Sequence, residues 1–202
     1  MTKKLLITLS IFALFANATK ASDNNSATHD EGVVINGVRW ATRNVDMSGT
    51  FAETPESSGM FFQWGRKKAW STKGEVNGWD RTHIRDTKWY AENDPCPPGW
   101  RVPTEDELQK LVDAGSEWIT QNGVNGRLFG TAPYQIFLPI VGFRHIDGEL
   151  CRFVEKSGNY WGSTRDWTGG GGFHLKIKYG RGSVWLFWVS DILGFSVRCV
   201  AK

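Results

Sequence analysis

The sequence has few of the residues on which catalytic and metal sites depend. It contains three cysteines and four histidines among 202 residues, and no histidine stands at a short metal-ligand spacing from another histidine or a cysteine. It also lacks the GxSxG nucleophile motif and a phosphate-binding glycine loop that ends in lysine and serine or threonine. The glycine run at 169–172 has neither that lysine nor a following helix, and it predicts a loop tip. We therefore expect no catalytic residues, no cofactor and no metal site.

Long apolar runs are also missing, apart from residues 5–16. This run follows Lys3 and Lys4, precedes small residues, and is shorter than the roughly 20 residues that span a bilayer. The pattern predicts a signal peptide over residues 1–21, with no transmembrane segment after its cleavage. We expect export to the periplasm, the cell surface or the medium, without a lipid anchor, because no cysteine stands at the cleavage point.

The charge of the chain has little excess of either sign. The formal net charge of +3 arises from Lys3, Lys4 and Lys20, which all lie in the expected signal peptide. The remaining chain has a balanced charge and exerts no long-range attraction on polyanions. This excludes nucleic acid as an expected partner.

Glycine and tryptophan, by contrast, are abundant, with 23 and 11 residues. Many turns and many large rings favour β structure with irregular loops, within an α+β fold. A capping box at Thr104 and Glu107 predicts one helix at about 105–114, which ends at Gly115. Residues 116–122 are expected to form a second, short helix.

The remaining elements are predicted to be strands. Asn36-Gly37 between two apolar segments predicts a hairpin at the start of a domain that spans 33–202, after a flexible leader over 22–32. Residues 46–90 are expected to be mostly irregular. Apolar and polar residues alternate over 173–179, and this pattern predicts a strand with one solvent-facing side. That side carries His174, Lys176 and Lys178. The expected strands cover 60–65, 135–143, 160–164, 173–179, 183–190 and 195–200, with a ribbon over 142–153 folded at Asp147-Gly148.

An odd number of cysteines in an oxidising compartment predicts one disulfide and one free thiol. We favour the pair Cys96–Cys199, because Cys96 lies in a rigid proline-rich turn and Cys199 lies on a terminal strand that needs an anchor. Cys151 is then a small buried apolar residue. A catalytic role for Cys151 stays open, although no neighbouring histidine or acid marks it.

The region 165–193 combines aromatic and charged side chains. Trp185 and Trp188 are separated by an odd number of positions, so we expect one ring in the core and the other exposed on the opposite face. An exposed tryptophan beside arginine and aspartate is typical of recognition sites, and it can stack on a sugar. The alternative is that these rings fill a glycine-rich core. The candidate ligand-binding residues are Arg165, Asp166, Trp167, His174, Arg181, Trp185, Trp188, Ser190, Asp191 and Ile192.

Three segments in order carry a family resemblance: 96–104 (CPPGWRVPT), 158–164 (GNYWGST) and 194–200 (GFSVRCV). Together with 40–45 (WATRNV), they resemble the FISUMP domain (Fibrobacter succinogenes major paralogous domain) of exported bacterial proteins, over about residues 33–201. The resemblance implies a C-type-lectin-like fold with paired terminal strands, a helix after the proline-rich turn and a twisted antiparallel sheet with long loops. It also supports the Cys96–Cys199 disulfide.

Other proteins of that fold suggest further functions. Residues 99–105 look like the helix-entry motif of formylglycine-generating enzymes, but those enzymes need a closely spaced cysteine pair for copper, and Cys151 and Cys199 are far apart. Calcium-dependent lectins of this fold carry Glu-Pro-Asn, Gln-Pro-Asp or Trp-Asn-Asp, and none of these tripeptides occurs here. Residues 190–193, just before the framework segment 194–198, are similar to the variable region of proteins diversified by retroelements.

These observations favour an exported, non-catalytic, adhesion-type module. We expect it to present the surface at 165–193 to a protein or glycan ligand at the cell envelope or surface. The alternatives are a metal- or thiol-dependent enzyme of the formylglycine-generating group and a structural pilus or adhesin subunit.

Overall fold

The computed structural model describes residues 26–151, 156–166, 169–180 and 184–202, so the expected signal peptide lies outside the described residues. Antiparallel strands dominate these ranges, which confirms the expected strand-rich architecture. The longest described helix is α1 (Glu105–Asp113), and no described helix has the length and apolarity to cross a membrane. The strands are β1 (Val33–Ile35), β2 (Val38–Trp40), β3 (Phe62–Gln63), β4 (Trp100–Arg101), β5 (Ser116–Gln121), β6 (Val124–Thr131), β7 (Tyr134–Pro139), β8 (Ser157–Arg165), β9 (Gly171–Lys178), β10 (Val184–Ser190), β11 (Gly194–Phe195) and β12 (Val200–Ala201).

The first sheet joins the two ends of the domain in the order β1-β2-β12-β4. The predicted hairpin connects β1 to β2, and both Asn36 and Gly37 have positive φ, as a tight two-residue turn requires. The last strand, β12, pairs with β2 on one side and β4 on the other, and Val200 lies opposite both Trp40 and Arg101. The final strand therefore lies inside the sheet.

The second sheet, in the order β10-β9-β8, separates two apolar clusters. Tyr160 and Leu175 pack on one side with Leu108 of α1, whereas Trp161 packs on the other side with Phe195. Because side chains alternate along a strand, both faces of this sheet are buried near its centre.

The predicted helix is confirmed as α1, and its capping box is complete. Thr104 Oγ1 accepts a hydrogen bond from the Glu107 N–H, and Glu107 Oε2 accepts one from the Thr104 N–H at 2.8 Å. Arg101 donates to both oxygens of Glu107, at 2.8 and 2.6 Å. Burial alone would raise the pKa of Glu107, but the hydrogen bonds from Arg101 and Thr104 outweigh it and lower that pKa.

The expected second helix is wrong, because Ser116–Gln121 is the strand β5. It pairs with β6 through a turn at Asn122-Gly123, and both turn residues have positive φ. This is the same asparagine-glycine hairpin signal as at Asn36-Gly37. The structure of these residues is therefore determined by the turn and not by their helix propensity.

Residues 26–32 also differ from the expected flexible leader. Asp30 accepts hydrogen bonds from the N–H groups of Gly32 and Thr42, at 2.9 and 3.1 Å, and its carboxylate lies 3.3 Å from Arg43 Nε. The Ala27 carbonyl accepts from the Phe51 N–H at 2.6 Å. This part of the leader therefore packs onto the domain.

Two buried arginines hold loops through backbone carbonyls. Arg198 donates to Asn44 Oδ1 at 2.7 and 3.0 Å and to the carbonyl of Thr42 at 2.8 Å. Burial lowers the pKa of Arg198 to about 10. Arg144 donates to the carbonyl oxygens of Ser71, Lys73, Gly74 and Gly148.

The predicted disulfide is confirmed. Cys96 and Cys199 are bonded, with their Cα atoms 6.1 Å apart, and they link the proline-rich turn to the residue before β12. Cys151 is a free, buried thiol. The ribbon around Asp147-Gly148 also forms, with Arg144 paired to Leu150, although residues 152 and 153 lie outside the described residues.

Loss of the disulfide should destabilise the protein strongly. The bond spans 103 positions in the sequence, and closing a loop of that length restricts the unfolded chain by about 4–5 kcal/mol. In urea titrations, we expect the free energy of unfolding of the double variant Cys96→Ser, Cys199→Ser to be lower than that of the wild-type protein by about this amount. Cys151→Ala is the matched control and should keep the stabilisation. An unchanged urea midpoint in the double variant would contradict the assigned role of the bond.

Candidate ligand-binding surface

The structure separates the sequence-predicted ligand residues into exposed and buried groups. Trp185 and Trp188 are 38% and 54% exposed, and Ser190 is half-buried. Trp167 and Arg181 lie outside the described residues. The predicted ligand residues with buried side chains are Arg165, Asp166, His174, Asp191 and Ile192.

The expectation that one of Trp185 and Trp188 fills the core is wrong. The two rings do lie on opposite faces of the sheet, since Trp185 is paired with Lys176 and Trp188 with Phe173. However, β10 is the last strand of its sheet, so its long side chains extend beyond the packed clusters on both faces. Both tryptophans are therefore exposed.

This exposure distinguishes Trp185 and Trp188 from the other tryptophans. In the part of the chain that the structure describes, they are the most exposed tryptophans. Phe187, between them, is 37% exposed. The tryptophans with buried side chains are Trp40, Trp64, Trp70, Trp89, Trp100 and Trp161.

Two lysines of β9 complete the surface. Lys178 Nζ lies 5.0 Å from the ring centroid of Trp185, and Lys176 Nζ lies 5.7 Å from that of Phe187. These distances are typical of cation–π contacts. We call Trp185, Phe187, Trp188, Lys176 and Lys178 the β10 surface. The predicted ligand residues did not include the two lysines, although their alternation along β9 predicted a solvent-facing side.

His174 packs against the β10 surface as a buried side chain, although the alternation pattern predicted that it faces solvent. Its ring centroid lies 4.3 Å from that of Phe187 and 4.8 Å from that of Phe195, and the side chain is buried. Burial lowers the pKa of His174 to about 3, although a backbone hydrogen bond with Phe187 opposes the shift. The imidazole is therefore neutral at physiological pH and acts as a core aromatic residue.

Arg165 and Asp191 form a buried ion pair where β10 ends. Asp191 Oδ2 lies 3.3 Å from Arg165 Nη2 and accepts a hydrogen bond from the Ile84 N–H at 3.2 Å. Asp191 Oδ1 lies 2.5 Å from Nδ1 of His83, whose side chain is 61% exposed. The Arg165 guanidinium lies 4.8 Å from the ring centroid of the buried Trp64. These contacts hold the loop at 83–84 against the end of β10.

The turn after β10 is also bonded into the fold. The Leu193 N–H donates to the Ser190 carbonyl at 3.3 Å, and Gln63 Nε2 donates to the Ile192 carbonyl at 2.9 Å. Asp166 Oδ1 accepts from the Gly170 N–H at 3.3 Å. Ile192, Asp191 and Asp166 therefore position the ends of the strands, and the rings of β10 are the side chains that face solvent.

No described set of histidine, cysteine, aspartate and glutamate side chains reaches the three donors that a metal site requires. Comparison of the chain with protein-family models, curated proteins and solved structures finds no match. The geometry of the chain is therefore the basis for its proposed function.

The buried His174 should make stability depend on pH. Its pKa is about 3 in the folded protein and about 6.5 in an unfolded chain. Between these values only the unfolded state binds the proton, so stability falls as pH decreases. At about pH 4.5 the loss should be roughly 2–3 kcal/mol relative to neutral pH.

Urea titrations at the two pH values measure this loss. We expect His174→Gln to lose most of the pH dependence, whereas His145→Gln, at an exposed position, should retain it. Equal pH dependence in the wild-type protein and His174→Gln would contradict the neutral, buried state of His174.

The Asp191 cluster generates a second prediction. Asp191→Asn leaves the buried Arg165 without its counter-ion, and we expect a loss of about 3 kcal/mol in the free energy of unfolding. His83→Asn removes an exposed partner of the same carboxylate and should cost less than about 1 kcal/mol. Chemical denaturation of both variants measures the difference. Equal losses would mean that the Arg165–Asp191 pair does not hold the end of β10.

Proposed function

We propose that the protein is an exported, non-catalytic binding module with a C-type-lectin-like fold and a FISUMP-type sequence. It uses the β10 surface to bind a protein or glycan at the bacterial cell envelope or surface. The proposal depends mainly on the exposure of Trp185, Phe187 and Trp188 within one short strand.

Three exposed aromatic rings within one short strand favour binding of a ligand. Burying one large apolar side chain contributes about 1.5–3 kcal/mol. Tryptophan is also enriched among the residues that dominate binding energy, and its ring can contact either a peptide or the face of a sugar. Lys176 and Lys178 add positive charge at one side of the rings. The β10 surface therefore combines apolar area with a fixed charge.

The surface is also held in place before a ligand arrives. His174 packs beneath Phe187, and the Arg165–Asp191 pair holds the end of β10. A preorganised surface loses less conformational entropy on binding than a flexible one. The same scaffold supports an adhesion role, in which a rigid surface withstands repeated contact with its ligand.

The sequence and the covalent structure support export as the location of the protein. An apolar run after two lysines is typical of a secretory signal, and the Cys96–Cys199 disulfide is typical of an oxidising compartment. Both support export. Thiol chemistry of the formylglycine-generating type would have to use Cys151, which is buried. This burial favours binding over catalysis.

The proposal predicts that the exposed tryptophans determine binding. On an array of glycans and surface proteins, at least one of the variants Trp188→Ala and Trp185→Ala should weaken the interaction with the captured ligand at least about tenfold. Tyr134→Ala removes an aromatic ring that is 64% exposed on β7, and it should leave binding unchanged. Circular dichroism verifies that each variant is folded. A captured ligand whose affinity is unaffected by both tryptophan variants would contradict the proposed surface.

A further inference from the structure

The backbone edge of β10 has no partner strand in the described structure. β10 is at the end of the sheet order β10-β9-β8, and the strand pairs of Val184–Ser190 among the described residues all lead to β9. Every second N–H and carbonyl of an edge strand points away from its sheet. A further strand can therefore bind there through its main chain.

The sequence of β10 has none of the features that normally protect such an edge. VWLFWVS contains no charge, no proline and no glycine. Natural edge strands are usually blocked by charged residues, proline or bulges, and an unblocked apolar edge is a site of strand addition. The nearest positive charges, Lys176 and Lys178, belong to the inner strand β9.

The exposed rings lie on both faces of this edge. Trp185 and Phe187 face one side with Lys176, and Trp188 faces the other side, paired with Phe173. A sugar that stacks on one face cannot contact both sets of rings. An added strand can, because its side chains alternate between the two faces at about 4.8 Å from β10. The distribution of rings therefore favours a polypeptide over a glycan.

The two faces differ in charge, and this difference determines the chemistry of the partner. Lys176 and Lys178 lie over the rings of Phe187 and Trp185, and neither pairs with a carboxylate among the described residues. The opposite face presents Trp188 and the partly buried Leu186, which packs against the apolar cluster below it. One face complements acidic side chains and the other complements apolar side chains.

We infer that β10 binds an extended segment of a partner polypeptide as an additional strand, with acidic side chains towards Lys176 and Lys178 and apolar side chains towards Leu186 and Trp188. This inference rests on the proposed function, because it specifies the ligand class of the same surface. Main-chain hydrogen bonds provide affinity, and the alternating side chains provide specificity.

The test uses the purified protein and fluorescein-labelled peptides of seven residues, the length of β10. The first peptide alternates glutamate and valine, the second alternates lysine and valine, and the third has proline in place of the central valine of the first. Fluorescence anisotropy measures their dissociation constants. We expect saturable binding of the first peptide and at least about tenfold weaker binding of the other two, because lysine repels Lys176 and Lys178, and proline removes an N–H donor.

Variants of the protein identify the surface. The double variant Lys176→Ala, Lys178→Ala should bind the glutamate peptide at least about tenfold more weakly than the wild-type protein does. High salt should also weaken binding of this peptide to the wild-type protein. Trp188→Ala should weaken it as well. Lys68→Ala is the matched control, since Lys68 Nζ lies 3.9 Å from the ring centroid of Trp70, outside the β10 surface. The control should bind the peptide as the wild-type protein does.

Three outcomes would overturn the inference. The first is equal binding of the glutamate and proline peptides, or no saturable binding up to about 1 mM, the weak limit of specific association. The second is binding of oligogalacturonate, an anionic sugar probe, that depends on Trp188 while the peptides do not bind; this would leave the proposed function intact. The third is a dimer in sedimentation equilibrium that Trp188→Glu dissociates, which would make a second copy the partner.

If neither peptide nor sugar binds and the array shows no ligand dependent on Trp185 or Trp188, the proposed function fails too.

Discussion

The rest of the structure depends on the way that residues 194–201 pass through the centre of the fold. β11 pairs with β3, Ser196 pairs with Tyr160 of β8, and β12 lies between β2 and β4. The disulfide from Cys199 to Cys96 adds a covalent link between this segment and the proline-rich turn. Strands from distant parts of the sequence therefore meet on one short segment.

The candidate surface depends on this segment because β10 leads directly into it. Only the turn at 191–193 separates Ser190, the last residue of β10, from Gly194 of β11. Gly194 also exchanges backbone hydrogen bonds with Arg144, at 2.9 and 3.0 Å. One end of β10 is therefore anchored to a buried part of the molecule, while its outer edge has no partner strand among the described residues. A strand that is fixed at one end and open along its edge can bind a partner without rearrangement of the core.

Local signals in the sequence predicted the elements that local forces determine. Asn36-Gly37 predicted a hairpin, because only a few residue types adopt positive φ easily, and Thr104 with Glu107 predicted the start of a helix. The helix expected at 116–122 was wrong because the Asn122-Gly123 turn pairs these residues with β6. The same dipeptide rule, applied to residues 122 and 123, would have found this strand.

The candidate site was harder to predict, because burial depends on which strand lies at the edge of a sheet. The spacing of Trp185 and Trp188 correctly placed them on opposite faces, but the sequence does not show that β10 is an edge strand. The same limit applies to His174, whose position in an alternating strand predicted exposure, although Phe187 and Phe195 cover it. Ion pairs across long separations, such as Arg165 with Asp191, have no local signal at all.

Native-state hydrogen exchange tests most directly whether residues 194–201, the tail, hold the fold together. The Ser196 N–H donates to Asn159 at 3.1 Å, and the N–H groups of Ala41 and Val45 donate to tail carbonyls at 2.9 and 3.0 Å. We predict that these amides exchange only through global unfolding, with a free energy equal to that from chemical denaturation. Exchange of these amides through a smaller opening, while the Leu108 amide of α1 stays protected, would contradict the central role of the tail.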